Sequence, residues 1–311
     1  MIRQLAAELR LAWVSLLLPI VIVLVAVLAV LNVANSAQAV RDDFTLLQHT
    51  KSEYAKNGMD FAADLRRPEA VTTTAGEQTV NNLARFDYDN LATAIHDIAP
   101  SSSPAETLKY FGFLVFPVVF FLIGLWMSTT QRRYSTEKIT LVRAGPARAV
   151  AGRQLAVVGS AAIITIATLL ADVLSRTVAR ASLASEIRLG EFPPLTPPKP
   201  DAPLAQWAVI LLIAVFFGAG GVAVGSIAGV FAIPALVFLA WDFILPIVAQ
   251  NDPRNWFTVL GHAVFNYSAS FELVQPIPLP TLAAALLAAG CSVVFVAVGY
   301  VGIRIRNPLA H

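Results

Sequence analysis

Long apolar runs broken by short polar stretches dominate the pattern of this chain. A helix needs about 20 predominantly apolar residues to cross the hydrocarbon core of a bilayer. The first such run is 11–34, interrupted only by Ser15, Pro19 and Asn32. The second is 110–128, preceded by Ser103 as a cap, Pro104 at the first helical position and Glu106 near the positive helix end. The third is 154–174, and the last is 279–303. Between them, 207–249 is almost uncharged. At 1.5 Å per residue a single helix there would reach roughly 60 Å, about twice the core thickness, so it must hold two spans. The reversal falls among Gly218, Gly220, Gly221, Gly225 and Gly229. Gly221, Gly225 and Gly229, at intervals of four, also suit a close helix-packing face. The fold class predicted is an all-α integral membrane protein with six transmembrane helices.

The intervals between spans carry their own patterns. Over 1–10, Ile2, Leu5, Ala6 and Leu9 share a helical face with Trp13, while Arg3, Gln4, Glu8 and Arg10 occupy the other. This predicts an N-terminal interfacial amphipathic helix. Within 35–109, Phe44, Leu47, Tyr54, Phe61 and Leu65 follow a heptad-like register with Lys51 and Gly58 at its imperfect positions. The first span therefore continues outward, and a second helical stretch with Val80, Leu83, Leu91, Ile95 and Ile98 folds back on it. Pro68 and 72–76 supply the turn of this extracytoplasmic helical hairpin. The loop 175–206 is proline-rich from Glu191 to Pro203 and reads as a stiff extended linker. The segment 250–278 holds Trp256, Phe257, Phe265, Tyr267 and Phe271, and aromatic rings prefer the bilayer interface, which predicts a re-entrant helix.

Composition agrees with this picture: of 311 residues, 57% are hydrophobic and only 14% charged, too much apolar surface for a water-soluble fold. Charge then orients it. The intervals 1–10, 129–153 and 304–311 hold ten basic side chains against Glu8 and Glu137, a net of +8, and the rest of the chain carries −6. Lysine and arginine concentrate on the cytoplasmic side, so both termini are expected there, in a multi-pass protein of the cell membrane. A net charge of +2 spread this way gives no basic face for nucleic acid. The triplet Ala37-Gln38-Ala39 resembles a signal-peptide cleavage site, but the preceding apolar run exceeds the usual core of about 7 to 15 residues and is expected to be retained. Cys291 is the only cysteine, so neither an intrachain disulfide nor a cysteine-built metal site can form.

Catalytic chemistry is missing from the pattern. His49, His96, His262 and His311 are scattered, and there is no HExxH, nucleophile elbow or glycine-rich phosphate loop ending in Gly-Lys-Ser/Thr. The chain is not expected to be an enzyme or to bind a cofactor or metal itself. Charges inside spans are expensive and point to function. Asp242, after Trp241, is the deep one and marks a path or an interface, or a polar residue satisfied within the bundle. Asp172 lies near the outer end of its span and reads as interfacial.

One segment is specific. Residues 134–155 read YSTEKITLVRAGPARAVAGRQL, a polar basic helix ending at Gly145-Pro146 followed by a helix that enters the membrane. This stretch resembles the first cytoplasmic loop of type-two ATP-binding-cassette exporter permeases, through Glu137, Thr140-Leu141, Pro146-Ala147-Arg148 and Gly152-Arg153. Ile139, Ala147 and Arg153 depart from the family's usual glycine, serine and lysine. The resemblance covers about twenty residues in motif and the whole chain in layout. It implies a coupling helix docked into a separate nucleotide-binding subunit, with Glu137, Thr140, Leu141, Pro146, Arg148, Gly152 and Arg153 as coupling residues. It further implies two ATPase copies that bind ATP, a second permease chain, identical or not, and a path at the permease interface for a drug, peptide, lipid or ion. The alternative is a membrane scaffold or sensor with an extracytoplasmic partner-binding domain.

Overall fold

The computed structural model describes residues 2–68, 71–74, 77–133, 137–194, 202–247, 249–265 and 273–306. Helix α1 (Ile2–Val14) and helix α2 (Leu17–Lys56) are separated at Leu16, whose φ of 64° is left-handed. Pro19 accounts for the position of the break: it has no N–H for the Ser15 carbonyl, so a continuous helix would lose a bond there. The N-terminal helix thus runs past residue 10, and the first span begins at Leu17 instead of Leu11. At 40 residues, about 60 Å, α2 extends well beyond a hydrocarbon core.

Its far half belongs to an end domain. There α3 (Phe61–Leu65), strands β1 (Val71–Thr74) and β2 (Glu77–Val80) and helix α4 (Leu83–Asp97) follow in order. Val40 and Leu47 of α2 pack with Leu91 and Ile95 of α4 around a core shared with Leu183. Two expectations are corrected here. Residues 72–74 are not a turn but part of an antiparallel pair in which Val71 faces Val80 and Thr74 faces Glu77. Valine and threonine are stiff at χ1 and favour strand over helix. The heptad register also shifts: Thr50, not Lys51, takes the buried position, and its hydroxyl donates to Asp87 at 2.6 Å.

The bundle follows. Helices α5 (Ser103–Leu114) and α6 (Phe116–Arg133) meet at a 57° bend, so the run expected to be one straight helix is two. Pro117 removes the N–H that would bond Phe113, which permits the bend. The N-cap of α5 is Ser102, not Ser103; its hydroxyl donates to the His96 carbonyl at 2.9 Å instead of capping the helix. Then come α7 (Glu137–Ala144), α8 (Pro146–Glu186), α9 (Pro203–Ala228), α10 (Ala232–Phe243), α11 (Pro253–Val264) and α12 (Thr281–Arg306). Residues 195–201 of the proline-rich stretch and 266–272 of the aromatic one lie outside the described residues. The glycines divide their work: Gly229, at φ 71°, caps α9 and reverses the chain, while Gly221 and Gly225 press directly on Phe121, Leu125 and Ser128 of α6.

Contacts fix the helix directions. Gly220, Gly299 and Gly302 pair α9 with α12 in rising register, against Phe295, Ala223 and Ile227 respectively, so these two helices are parallel. Gly221 against Phe121 and Gly225 against Ser128 make α6 parallel to α9. Gln4 lies on Gly152 near the start of α8, while Arg41 bridges to Glu186 near its end at 2.7 Å, so α2 and α8 run together as well. Among the described residues, α2, α8, α9 and α12 are each long and apolar enough to cross a membrane, and the bent pair α5–α6 adds a fifth if it counts as one span. Helix α10, at 12 residues or about 18 Å, is shorter than the core. Outward-facing Val23, Val27, Ile166, Leu170, Leu236 and Leu286 are exposed, as the sides of a membrane-spanning bundle should be.

Candidate functional site

At the end of the bundle where α12 finishes, the segment 137–153 forms a helical elbow. Glu137 opens α7 where a carboxylate suits the positive helix end, and Arg143 lies in its last turn. Gly145, at φ 75°, donates its N–H to the Leu141 carbonyl at 2.8 Å and stops the helix. Pro146 then starts α8 at a position where no amide is needed.

The inward face of this elbow is a buried polar chain across four helices. Arg153 of α8 is fully buried and donates to Gln131 of α6 at 2.9 Å and to Glu137 of α7 at 3.4 Å. Gln131 donates to Glu8 of α1 at 2.5 Å, and Gln4 reaches the same oxygen at 3.1 Å. Burial pushes the Glu8 carboxyl above its ordinary range, against the pull of Arg153, Gln131 and Gln4. Beside this chain, Leu141 packs with Ala149, Val150 and Ile303, which ties the elbow to the end of α12. These contacts join α7 to α1, α6, α8 and α12.

The structure brings Glu137, Leu141, Gly152 and Arg153 together on this inward face. Thr140 and Pro146 are half-buried, and Arg148 is exposed. Glu137 and Leu141 are therefore structural anchors of the elbow and are not displayed to a partner. The outward face instead carries Lys138, Ile139, Val142 and Arg143, with Ile139 54% and Val142 81% exposed.

Trp241 and Asp242 meet a residue absent from the sequence reading. Arg254, at the start of α11, donates to the carbonyls of Trp241, Asp242, Leu245 and Pro246 and lies 4.6 Å over the Trp241 ring. Asp252 holds the other side of its guanidinium at 2.6 Å. Asp172 is fully buried, 2.5 Å from Arg176 one helical turn on. The spacing i, i+4 was the available signal for that pair. Glu8 and Gln131, 123 positions apart, left none. Among the described residues no group of histidine, cysteine and carboxylate side chains is placed to hold a metal. No family model matches the chain, and no curated protein or solved structure matches it significantly.

Proposed function

We propose that this chain is the membrane-spanning permease subunit of an ATP-driven exporter, and that α7 couples it to a separate ATPase. The observation that carries this reading is the elbow itself: a short basic helix with an exposed apolar pair, Ile139 and Val142, wired through buried Arg153 to four helices. Such a device suits the transfer of motion from a partner into a bundle. Two permease chains and two ATPase copies complete the transporter, ATP binds only the partner, and the substrate path lies between permeases near Asp242.

The same reading has six crossings with both termini in the cytoplasm. It draws support from the parallel run of α9 and α12, which obliges residues 229–280 to return across the bundle, with α10 as the core of the fifth crossing. The +8 charge at the α7 end supports the inside location of that end in this reading.

The test is co-purification from native membranes. Wild-type protein should retain an ATPase with a phosphate loop, and Ile139→Asp with Val142→Asp should release it while the chain stays folded and inserted. The end domain built from α2, α4 and α8 favours a second reading, a membrane scaffold or sensor. Under that reading no ATPase accompanies the wild-type chain and the exporter assignment fails.

A further inference from the structure

A second buried charge cluster lies at the opposite end of the bundle, where the end domain meets the broken span. Three elements build it. Helix α4 contributes Asp97 with His96 beside it, α5 contributes Glu106 and Lys109, and α8 contributes Asp172 and Arg176. Lys109 pairs with Glu106 at 2.7 Å and Arg176 with Asp172 at 2.5 Å; Arg176 also donates to the main-chain carbonyl of Asp97. The side chains of Lys109, Arg176 and Asp172 are 3%, 2% and 0% exposed. Asp97 and Glu106 are each 18% exposed; Asp97 shares a long contact with His96, 3.5 Å, and of its two oxygens Oδ2 is sealed from solvent with no hydrogen-bond partner.

Counting charges exposes the problem. Asp97, Glu106 and Asp172 supply three carboxylates, and Lys109 and Arg176 supply two cationic side chains, so among the described residues the cluster has one carboxylate in excess. An uncompensated charge held out of water is costly, and a buried group usually answers by changing its protonation. Lys109 already pairs with Glu106 and Arg176 with Asp172, whereas the Asp97 carboxylate meets only His96 among the described residues. His96 is 40% exposed, so its imidazole meets solvent and is not one of the sealed groups.

We propose that this cluster is a proton-binding site, holding one proton, on Asp97 or on Glu106, at neutral pH. With the proton the site is neutral and α5 is held against α4 and α8. Without it, the excess charge loosens the half-helix that precedes the 57° bend. Burial also pushes the Asp97 carboxyl above its ordinary range, against the pull of Lys109, His96 and Arg176, in keeping with proton retention. A metal cation is a poor alternative occupant, since Lys109 and Arg176 would repel it.

Infrared spectroscopy of the full-length protein in lipid nanodiscs reads this directly. Wild type at neutral pH should show the carbonyl stretch of a protonated carboxylic acid, shifted by deuteration and lost on alkaline titration. Asp97→Asn and Glu106→Gln each remove the excess charge, so each should diminish that band by one carboxyl's intensity, and His96→Asn should leave it intact. Absence of the band from wild type at neutral pH, or equal intensity in wild type and both amide variants, overturns the proposal. A second measurement needs no variant: amide exchange of residues 103–114, corrected for intrinsic base catalysis, should rise several-fold as the band titrates away. Constant corrected exchange across that titration overturns the link to α5.

Discussion

Gly302 of α12 packs against Ile227 at the end of α9, and the register of the pairs above it makes these two helices parallel although they are adjacent spans in sequence order. Two parallel neighbours require the chain between them to return the full height of the bundle. In a background with Cys291→Ser, single cysteines at Val142 and Arg306 should be shielded from an impermeant thiol reagent on intact cells. Cysteines at Ser182 and Leu204 should react. Labelling of Arg306→Cys while Val142→Cys stays protected would place the ends of α7 and α12 on opposite sides and remove the fifth crossing.

Glu8 predicts a pH effect at the α7 end. Its carboxyl is raised by burial, so the folded state binds the proton more tightly than the unfolded chain does. The contribution is fully present below the ordinary glutamate value of about 4.3 and is lost as pH rises through the folded value. Thermal unfolding in detergent should therefore show stability declining from pH 5 upward, and Glu8→Gln should flatten part of that decline. An identical slope in the variant would mean that the network satisfies the Glu8 charge completely.

Adjacent glycines of α9 should respond in opposite directions. A Cβ on Gly221 would overlap the Phe121 carbonyl and come within 2.8 Å of the Leu125 nitrogen, both backbone atoms that cannot turn aside. On Gly220 it would meet Phe295 at an ordinary 3.5 Å. Gly221→Ala is expected to cost about 1–3 kcal/mol through overpacking. Gly220→Ala should be neutral or gain up to about 1 kcal/mol from helix propensity. Thermal unfolding of the two variants side by side checks this, and equal effects would show that α9 does not hold α6 by close approach.

The apolar runs were legible because a bilayer demands length and hydropathy, which are local properties of sequence. So was the elbow, because Gly145 and Pro146 are both punctuators at the same point. What could not be read was which side of α7 faces inward. Glu137 and Leu141 were natural candidates for a docking face, being a carboxylate and an apolar anchor on a short helix. Their burial depends on Arg153, Gln131 and Ile303, which the chain brings from three other helices. The breaks at Leu16 and Val115 had a visible cause, since Pro19 and Pro117 each delete an amide, but a proline inside a span is often tolerated without a bend this large. The β pair is the opposite case: local threonine and valine preference outweighed the helical repeat on either side.

Arg254 should be irreplaceable by lysine. Helix α10 ends at Phe243, and its last carbonyls have no helical partners. Arg254 supplies them: one nitrogen donates to Trp241 at 2.7 Å and Leu245 at 2.6 Å, and another reaches Pro246 at 3.2 Å and Asp252 at 2.6 Å. A lysine keeps the charge opposite Asp252, but its single nitrogen cannot span carbonyls on both sides of the turn. A glutamine loses both charge and reach. Each of these hydrogen bonds contributes about 0.5–1.5 kcal/mol, so the expected order of thermal stability is wild type, then Arg254→Lys, then Arg254→Gln. Amide exchange across 244–247 and 249–252 should quicken in the same order, because the chain after α10 is held by these bonds. Should Arg254→Lys match wild type in both measurements, the ion pair with Asp252 alone stabilises the turn and the carbonyl contacts contribute nothing measurable.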